Sequence, residues 1–173
     1  MTDVAAEAKP FIIFPDDRFQ AIATRRPVDA NLRAIGRDLL AVAVKANAYG
    51  LAAVHIGLVA PVVVVSLGDA AGRDYHILYN PSIAGTWGDL VPRREGSVSM
   101  PGIEVDIVRP DGARIAFDDE NGVARELALN GFAARVAQHE IDQVNGIFFL
   151  SRASRLKRDS AIKRFAKLNR RMG

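Results

Sequence analysis

Residues 132–146 read FAARVAQHEIDQVNG, and the rest of the chain is organised around this stretch. Asn130 can cap the start of a helix and Gly146 can end it, which frames about four turns. At 3.6 residues per turn, the apolar stripe that begins at Phe132 also contains Glu140, with His139 beside it. Burying such polar side chains costs a few kcal/mol unless they have partners. A carboxylate and an imidazole on a core-facing helix therefore indicate a functional site.

His139, Glu140 and Gln143 follow the pattern His-Glu-x-x-His except at its last position. In zinc hydrolases, two His residues four apart on a helix hold one metal ion while the Glu activates its bound water. A neutral amide is a poor replacement for imidazole as a ligand of a transition metal. Taken alone, the truncated motif fits a hydrogen-bonded core helix as well as it fits a site.

The composition is typical of one compact domain, since 49% of the 173 residues are hydrophobic and 25% are charged. We expect a single domain over residues 1–173, with a loose terminus at residues 1–9. The sequence contains neither a membrane-spanning run nor a cleavable leader pattern, so we expect a cytoplasmic protein with no membrane partner. The absence of cysteine excludes disulfides, thiolate metal ligands and a Cys nucleophile.

Residues 152–173 contain nine of the 23 Lys and Arg residues and a single Asp. The formal net charge of +3 therefore combines an acidic main body with a basic end. We expect this segment to form a basic C-terminal helix with one apolar side. Such a helix suggests RNA or another acidic partner, although a solvated helix face explains the same charges. No DNA partner is expected.

Further helix and strand signals flank the central stretch. Apolar residues repeat at helical spacing from Asp29, a good N-cap, to about Lys45, and they predict an amphipathic helix. Residues 61–67 and 75–79 predict two strands. Residues 85–102 are rich in Gly, Pro and polar side chains, and we predict that they are mostly loop. Three further strands are predicted at residues 103–108, 113–117 and 123–129, the last two joined by a hairpin at Asn121-Gly122.

Three separated stretches resemble, in the same order, the three signature motifs of the peptide deformylase family. They are residues 49–57 (YGLAAVHIG), 95–102 (EGSVSMPG) and 138–143 (QHEIDQ). The resemblance implies an α+β fold in which antiparallel sheets pack around the motif-bearing helix, with an N-terminal and a C-terminal helix. It also implies the family reaction, in which a divalent metal, usually iron but also zinc or nickel, removes the formyl group from the initiator methionine of nascent peptides.

The resemblance also implies roles for single residues. His139 matches a metal ligand, Glu140 the catalytic acid and base, and Val98 the residue whose backbone NH faces the oxyanion. His55 stands where the family has the Gln that stabilises the oxyanion. The expected substrate cleft consists of Gly50, Leu51, Gly96 and Ser97.

Most departures from the family pattern lie at the positions that match catalytic or metal-binding residues. Ser97 stands where the Cys ligand belongs, and Gln143 stands where the second His ligand belongs. Ala48 replaces the first glycine of the first motif. Mutation of residues that hydrogen-bond to metal ligands lowers metal affinity roughly 10 to 100-fold. Loss of two of the three ligands themselves should lower it far more. Without a metal, Glu140 cannot generate hydroxide at neutral pH, so we expect ordinary deformylation to be very weak or absent.

The leading interpretation is a pseudoenzyme that keeps the cleft and binds N-terminal peptides. In the family the C-terminal helix contacts the ribosome. The basic residues 152–171 resemble that helix, which implies the same contact here. A second interpretation is an active hydrolase with zinc or another metal in a rearranged site, in which His55 joins His139 with help from Glu140. Gln143 and Ser97 are further candidate ligands. His55 can equally be an ordinary hydrogen-bonding imidazole, and the chain can be a paralogue under relaxed constraint.

Overall fold

The structure, a computed structural model, describes residues 11–172, so the terminus expected at residues 1–9 lies outside the described residues. Over this range the fold is α+β, as the resemblance implies, with all five strands in one antiparallel sheet of order β1-β2-β3-β4-β5. None of the helices within residues 11–172 has the length and apolar character that crossing a bilayer requires. The strands are β1 Gly50–Ala52, β2 Val62–Ser66, β3 Tyr75–Gly96, β4 Glu104–Asp118 and β5 Ala124–Asn130, and the helices are α1 Ala30–Ala46, α2 Gly131–Val144 and α3 Arg155–Met172.

Strand β2 is buried on both faces of the sheet. Val63 and Val65 belong to the main core together with residues of α2, whereas Val62 and Val64 pack with residues of α1. Because neither face meets water, the strand needs no polar side of its own. This explains the continuous β-branched run from which the strand was predicted.

Helix α1 begins and ends where the sequence predicts. Asp29 Oδ1 accepts a hydrogen bond from the NH of Leu32 at 2.8 Å, which satisfies one of the free donors of the first turn. Asn47 follows the last residue in the left-handed conformation, at φ 50°. The periodic residues Leu32, Leu39 and Val42 are buried.

The prediction of mostly loop at residues 85–102 is wrong for residues 85–96, which form the second half of β3. From Tyr79 onward β3 pairs with β4, and the last pair is Gly96 opposite Glu104. Among the described strands nothing pairs with the other edge of this half, and its side chains are mostly exposed. Pro92 is tolerated because a strand with one free edge does not need every NH in the ladder. The two strands predicted at 103–108 and 113–117 are one strand, β4, and its hairpin with β5 is confirmed.

Helix α2 is enclosed by the rest of the molecule, with ten of its 14 residues buried. Gly146, at φ 73°, lies two residues beyond its end, close to the predicted stop. Asn130 occupies the N-cap position, but its Oδ1 accepts a bond from the indole NH of Trp87 at 2.9 Å instead of capping the helix. The motif-bearing helix is thus positioned by packing and by β3.

Candidate active site

One cleft of about 340 Å³ lies between β1, the end of β3 and α2. The fold brings together here residues from all three sequence motifs. Gln143, although it belongs to the third motif, is not among the described residues that line the cleft. The lining includes the expected cleft residues Gly50, Leu51, Gly96 and Ser97, and also His55, Val98, His139 and Glu140.

The cleft wall on the α2 side requires glycine at position 50. A Cβ atom on Gly50 would lie 2.8 Å from Val136 Cγ1 and 3.0 Å from Glu140 Cγ. Such distances are shorter than van der Waals contact, so β1 can approach α2 this closely only without a side chain. Phe132 and Val136 then give the wall an apolar surface. The Tyr49 ring meets Phe132 edge to face at the rim, with 4.7 Å between centroids.

His139 is held by a buried carboxylate. Its Nδ1 lies 2.7 Å from the carboxylate oxygen Glu95 Oε1, so this nitrogen carries a proton and donates a hydrogen bond to Glu95. Burial acts to lower the pKa of His139, but the bond to Glu95 and the charges of Glu140 and Glu95 outweigh burial and raise it. Nε2, on the other side of the ring, lies 3.8 Å from Glu140 Oε1.

Glu140 is 5% exposed and is incompletely satisfied. Its Oε2 accepts no hydrogen bond from the described residues. The nearest ring nitrogen to this atom, His55 Nδ1, is 3.7 Å away. Burial raises the pKa of Glu140 to about 7, and the nearby charge of Glu95 acts in the same direction. A carboxyl with this pKa can exchange protons near neutral pH.

The structure places His55 as a hydrogen-bonding imidazole beside Glu140. Its Nδ1 accepts a bond from the backbone NH of Ala52 at 3.0 Å, so the ring proton is on Nε2. Burial, followed by the charge of His139, lowers the pKa of His55 to about 3. The ring is therefore neutral at physiological pH and cannot form an ion pair with Glu140.

Glu95, at the end of β3, is buried and receives four hydrogen bonds. Arg109 donates two of them, at 2.6 and 2.9 Å, in a bidentate pair. Arg135 donates one at 2.6 Å, and His139 donates the fourth. Burial acts to raise the pKa of Glu95, but these bonds outweigh burial and lower it to about 2. Glu95 is thus a fixed anion that orients His139.

Asp142 extends this buried network, which the sequence analysis did not find. It accepts bonds from Arg109 at 2.8 Å and from Arg152 at 2.7 Å. One signal was present in the strand predicted at residues 103–108. Its alternation directs Val105 and Ile107 inward, and the next residue in phase is Arg109, which is 3% exposed. A charged residue at an inward position requires a buried partner.

The residues present do not fit the metal of the peptide deformylase pattern. Gln143 Nε2 donates to the backbone oxygen of Phe19 at 2.8 Å, and Ser97 Oγ accepts from the NH of Ser99 at 3.1 Å. Within residues 11–172 no group of three or more His, Asp or Glu side chains is arranged to hold a metal ion. The rearranged set of His55, His139 and Glu140 is therefore not assembled as a ligand group.

The known proteins that are similar to this chain all come from one family. A family model for polypeptide deformylase matches residues 8–159. A peptide deformylase-like protein of Rhizobium meliloti is 38% identical over 163 residues, which cover 94% of each chain. A peptide deformylase of Methylocella silvestris is 37% identical over 166 residues, covering 92% of this chain and 84% of the relative.

Solved structures agree in fold over nearly the whole chain. The crystal structure of peptide deformylase from Ehrlichia chaffeensis has a TM-score of 0.85 and 29% identity, covering 93% of this chain and 96% of that one. A peptide deformylase from Synechococcus elongatus in complex with actinonin has a TM-score of 0.82 and 32% identity, covering 93% and 89% of the two chains.

Proposed function

Because this chain belongs to the peptide deformylase family, we propose that it is a deformylase-like protein that binds N-terminal peptide segments while its ordinary deformylation is very weak or absent. The observation that supports this most directly is the placement of Gln143. Its amide donates to Phe19 from outside the cleft lining, so this position serves the fold instead of the chemistry.

The remaining polar groups of the cleft lack a way to activate water. A metal-bound water has a pKa near 7, whereas free water has a pKa near 15.7. Glu140 can move a proton near neutral pH, but it cannot lower the pKa of water from near 15.7 to near 7 as a metal does. His55 is neutral, and its Nδ1 is already occupied by the Ala52 NH. Hydrolysis of a stable formamide therefore has no nucleophile of adequate strength here.

The edges of the sheet at the cleft support peptide binding. β1 pairs with β2 alone, and β3 at Gly96 pairs with β4 alone among the described strands. Gly50 in β1 and Gly96 in β3 both line the cleft. An extended peptide can add to such edges through its backbone, while the apolar wall at Phe132 and Val136 accommodates a side chain.

The experiment that tests the proposal measures the metal content of protein purified without chelator, together with hydrolysis of a formyl-Met peptide. Iron, zinc, nickel and cobalt are supplied in turn. We expect metal well below one ion per chain and no turnover above that of a Glu140→Gln variant. Turnover that exceeds this control would contradict the proposal.

The alternative function is an active metallohydrolase with a rearranged site that uses His55 and His139. It requires a third ligand, which the described residues do not supply in a suitable arrangement. One bound metal ion per chain, lost in His55→Ala, would establish this alternative and remove the leading proposal.

A contact between α3 and the ribosome is proposed from the exposed cations of that helix. Only Ala161 and Phe165 of α3 are buried, and Lys163 and Lys167 project from its exposed side. Deleting the helix would uncover the core around Phe165, so charge reversal is the cleaner test. We expect Lys163→Glu with Lys167→Glu to reduce co-sedimentation with ribosomes. The matched pair Arg37→Glu with Lys45→Glu, on α1, should not reduce it.

A further inference from the structure

An apolar patch lies exposed on the outer face of β3 and β4, opposite to the face on which Ile107 is buried. Leu90 is 69% exposed and Val108 is 53% exposed. The register places Leu90 opposite Pro110 and Pro92 opposite Val108, so these four side chains are neighbours on one face. Single exposed apolar side chains need no explanation, but a contiguous patch indicates an interaction surface.

Trp87 extends the patch and is fixed in place. Its ring, 38% exposed, covers Gly112 on β4, where an added Cβ would overlap the indole. Gly112 precedes Ala113, whose side chain is buried in the core, so the ring lies on the outer face. The indole NH donates to Asn130 Oδ1 at 2.9 Å, which holds the ring in this position. A fixed and partly exposed Trp is typical of protein interfaces.

The outer face is open to a partner, whereas the free edge of β3 beside it is a poor docking surface. This edge, unpaired among the described strands, contains Pro92, which has no NH to donate to an added strand. Proline on an edge strand opposes the addition of a further strand. A partner is therefore expected to pack against the face instead of extending the sheet.

The charges beside the patch are self-complementary. The register places Arg94 opposite Asp106, which puts one cation and one anion next to each other on the outer face. Both have only long ion pairs, of 3.7 Å, from Arg94 Nη1 to Glu104 Oε2 and from Lys157 Nζ to Asp106 Oδ2. A surface with such a pair matches an identical surface that is turned over about a twofold axis.

We propose that the outer face of β3 and β4 binds a second copy of this chain, across a twofold axis that runs along the strands. In this arrangement β3 of each copy faces β4 of the other. The apolar patch lies outside the lining of the cleft, so the inference is independent of the proposed function. The pairs that face each other across the interface are Leu90 with Pro110, Val108 with Pro92, and Arg94 with Asp106.

The size of the patch sets the expected affinity. A standard stable interface buries roughly 800 Å² on each partner, and the patch forms only the apolar centre of such an area. We therefore expect a reversible dimer with a dissociation constant on the order of 10 μM. The chain has no cysteine, so a disulfide cannot produce the dimer.

Sedimentation equilibrium of the unaltered chain, over concentrations that bracket about 10 μM, tests the proposal. We expect the average mass to rise with concentration from one chain to two chains. A mass of one chain at every concentration would overturn the proposal and leave the patch to a different partner. Growth beyond two chains would also overturn it, because a twofold interface closes at the dimer.

Two variants with matched exposure locate the interface. Leu90→Ser should raise the dissociation constant at least about tenfold, since it removes an apolar side chain from the centre of the patch. Ile22→Ser alters a side chain that is 67% exposed elsewhere on the surface and should leave the constant unchanged. Equal effects of the two variants would place the interface elsewhere.

A charge exchange tests the twofold arrangement. Arg94→Asp places two carboxylates opposite each other at both contacts and should weaken the dimer at least about tenfold. Adding Asp106→Arg restores opposite charges across the axis, so the double variant should return to within about threefold of the unaltered protein. A double variant that dimerises as weakly as Arg94→Asp overturns this arrangement.

Discussion

At the residue scale, Glu95 and Glu140 are two buried carboxylates on one cleft with opposite surroundings. Glu95 accepts three hydrogen bonds from arginine side chains and one from His139, and its pKa is about 2. Glu140 has one oxygen with no donor, and its pKa is about 7. Burial opposes ionisation at both positions, and the difference in bonded donors decides the charge state of each.

The raised pKa of Glu140 predicts that stability falls as the pH rises. The folded pKa of about 7 exceeds the unfolded value of 4.5, so the favourable contribution is present below pH 4.5 and is lost through pH 7. The lowered pKa of His55 acts in the opposite direction below pH 6.5, so the prediction concerns the difference between two proteins. Between pH 5 and pH 8, urea denaturation should show a free energy of unfolding that falls by about 1–3 kcal/mol more in the unaltered protein than in Glu140→Gln. Parallel pH curves for the two proteins would contradict this.

Removing the charge of Glu95 should be strongly destabilising. Glu95→Gln leaves the guanidinium groups of Arg109 and Arg135 buried without their main counter-ion, which costs about 3–5 kcal/mol. The free energy of unfolding at pH 7 measures the loss. Glu104→Gln is the matched control, because its ion pair with Arg94 is long, at 3.7 Å, and exposed. We expect that control to change stability by less than about 1 kcal/mol.

At the element scale, the cleft depends on how short segments are tied to the larger elements. The NH of Ile12 donates to His55 O at 2.9 Å, and the NH of Phe14 donates to Ser99 O at 2.8 Å. One N-terminal segment therefore joins the turn after β1 to the loop after β3. β1 itself is only three residues long and is positioned by its close approach to α2.

This approach predicts that Gly50→Ala destabilises the protein. The added Cβ would lie 2.8 Å from Val136 Cγ1 and 3.1 Å from Val64 O, so β1 or α2 must shift. Overpacking of this kind costs about 1–3 kcal/mol. Gly85→Ala in β3 is the matched control, since nothing lies within 4 Å of its added Cβ. Chemical denaturation should show a loss for Gly50→Ala and a change within about 0.5 kcal/mol for Gly85→Ala.

At the scale of the whole molecule, the family fold is kept, while Ser97 and Gln143 stand at two of the three positions where the resemblance expects a metal ligand. The TM-score of 0.85 to the Ehrlichia chaffeensis enzyme extends over 93% of the chain. The core around β2 and α2 consists of apolar side chains, and the charged network beneath the cleft is internally paired. The fold therefore has sources of stability that are independent of a metal.

Because the scaffold matches, restoring the family residues should restore a metal site. We expect the triple variant Ser97→Cys, Gln143→His and His55→Gln to bind about one iron or zinc ion per chain, as three ligands complete a catalytic site. Elemental analysis measures the metal, and a formyl-Met peptide assay measures any activity. Ser97→Cys alone should bind much less metal, since one thiolate and one imidazole remain too few. A triple variant that folds but binds no metal would show that the backbone has diverged as well.

The sequence by itself predicted the elements whose signals are local. The cap at Asp29, the buried run at residues 61–67, the hairpin at Asn121-Gly122 and the motif helix all depend on residues a few positions apart. Their periodicity and turn chemistry reflect backbone geometry that short segments determine on their own. The three motif stretches likewise predicted the fold class and the family that the comparisons confirm.

The tertiary structure alone decided the rest, because the deciding contacts join distant residues. The second half of β3 exists through pairing with β4, although its composition is that of a loop. Arg109 meets Asp142 across 33 positions of the chain, and Gln143 meets Phe19 across 124. The charge of a buried group depends on which donors reach it after folding, so the contrast between Glu95 and Glu140 has no local signal.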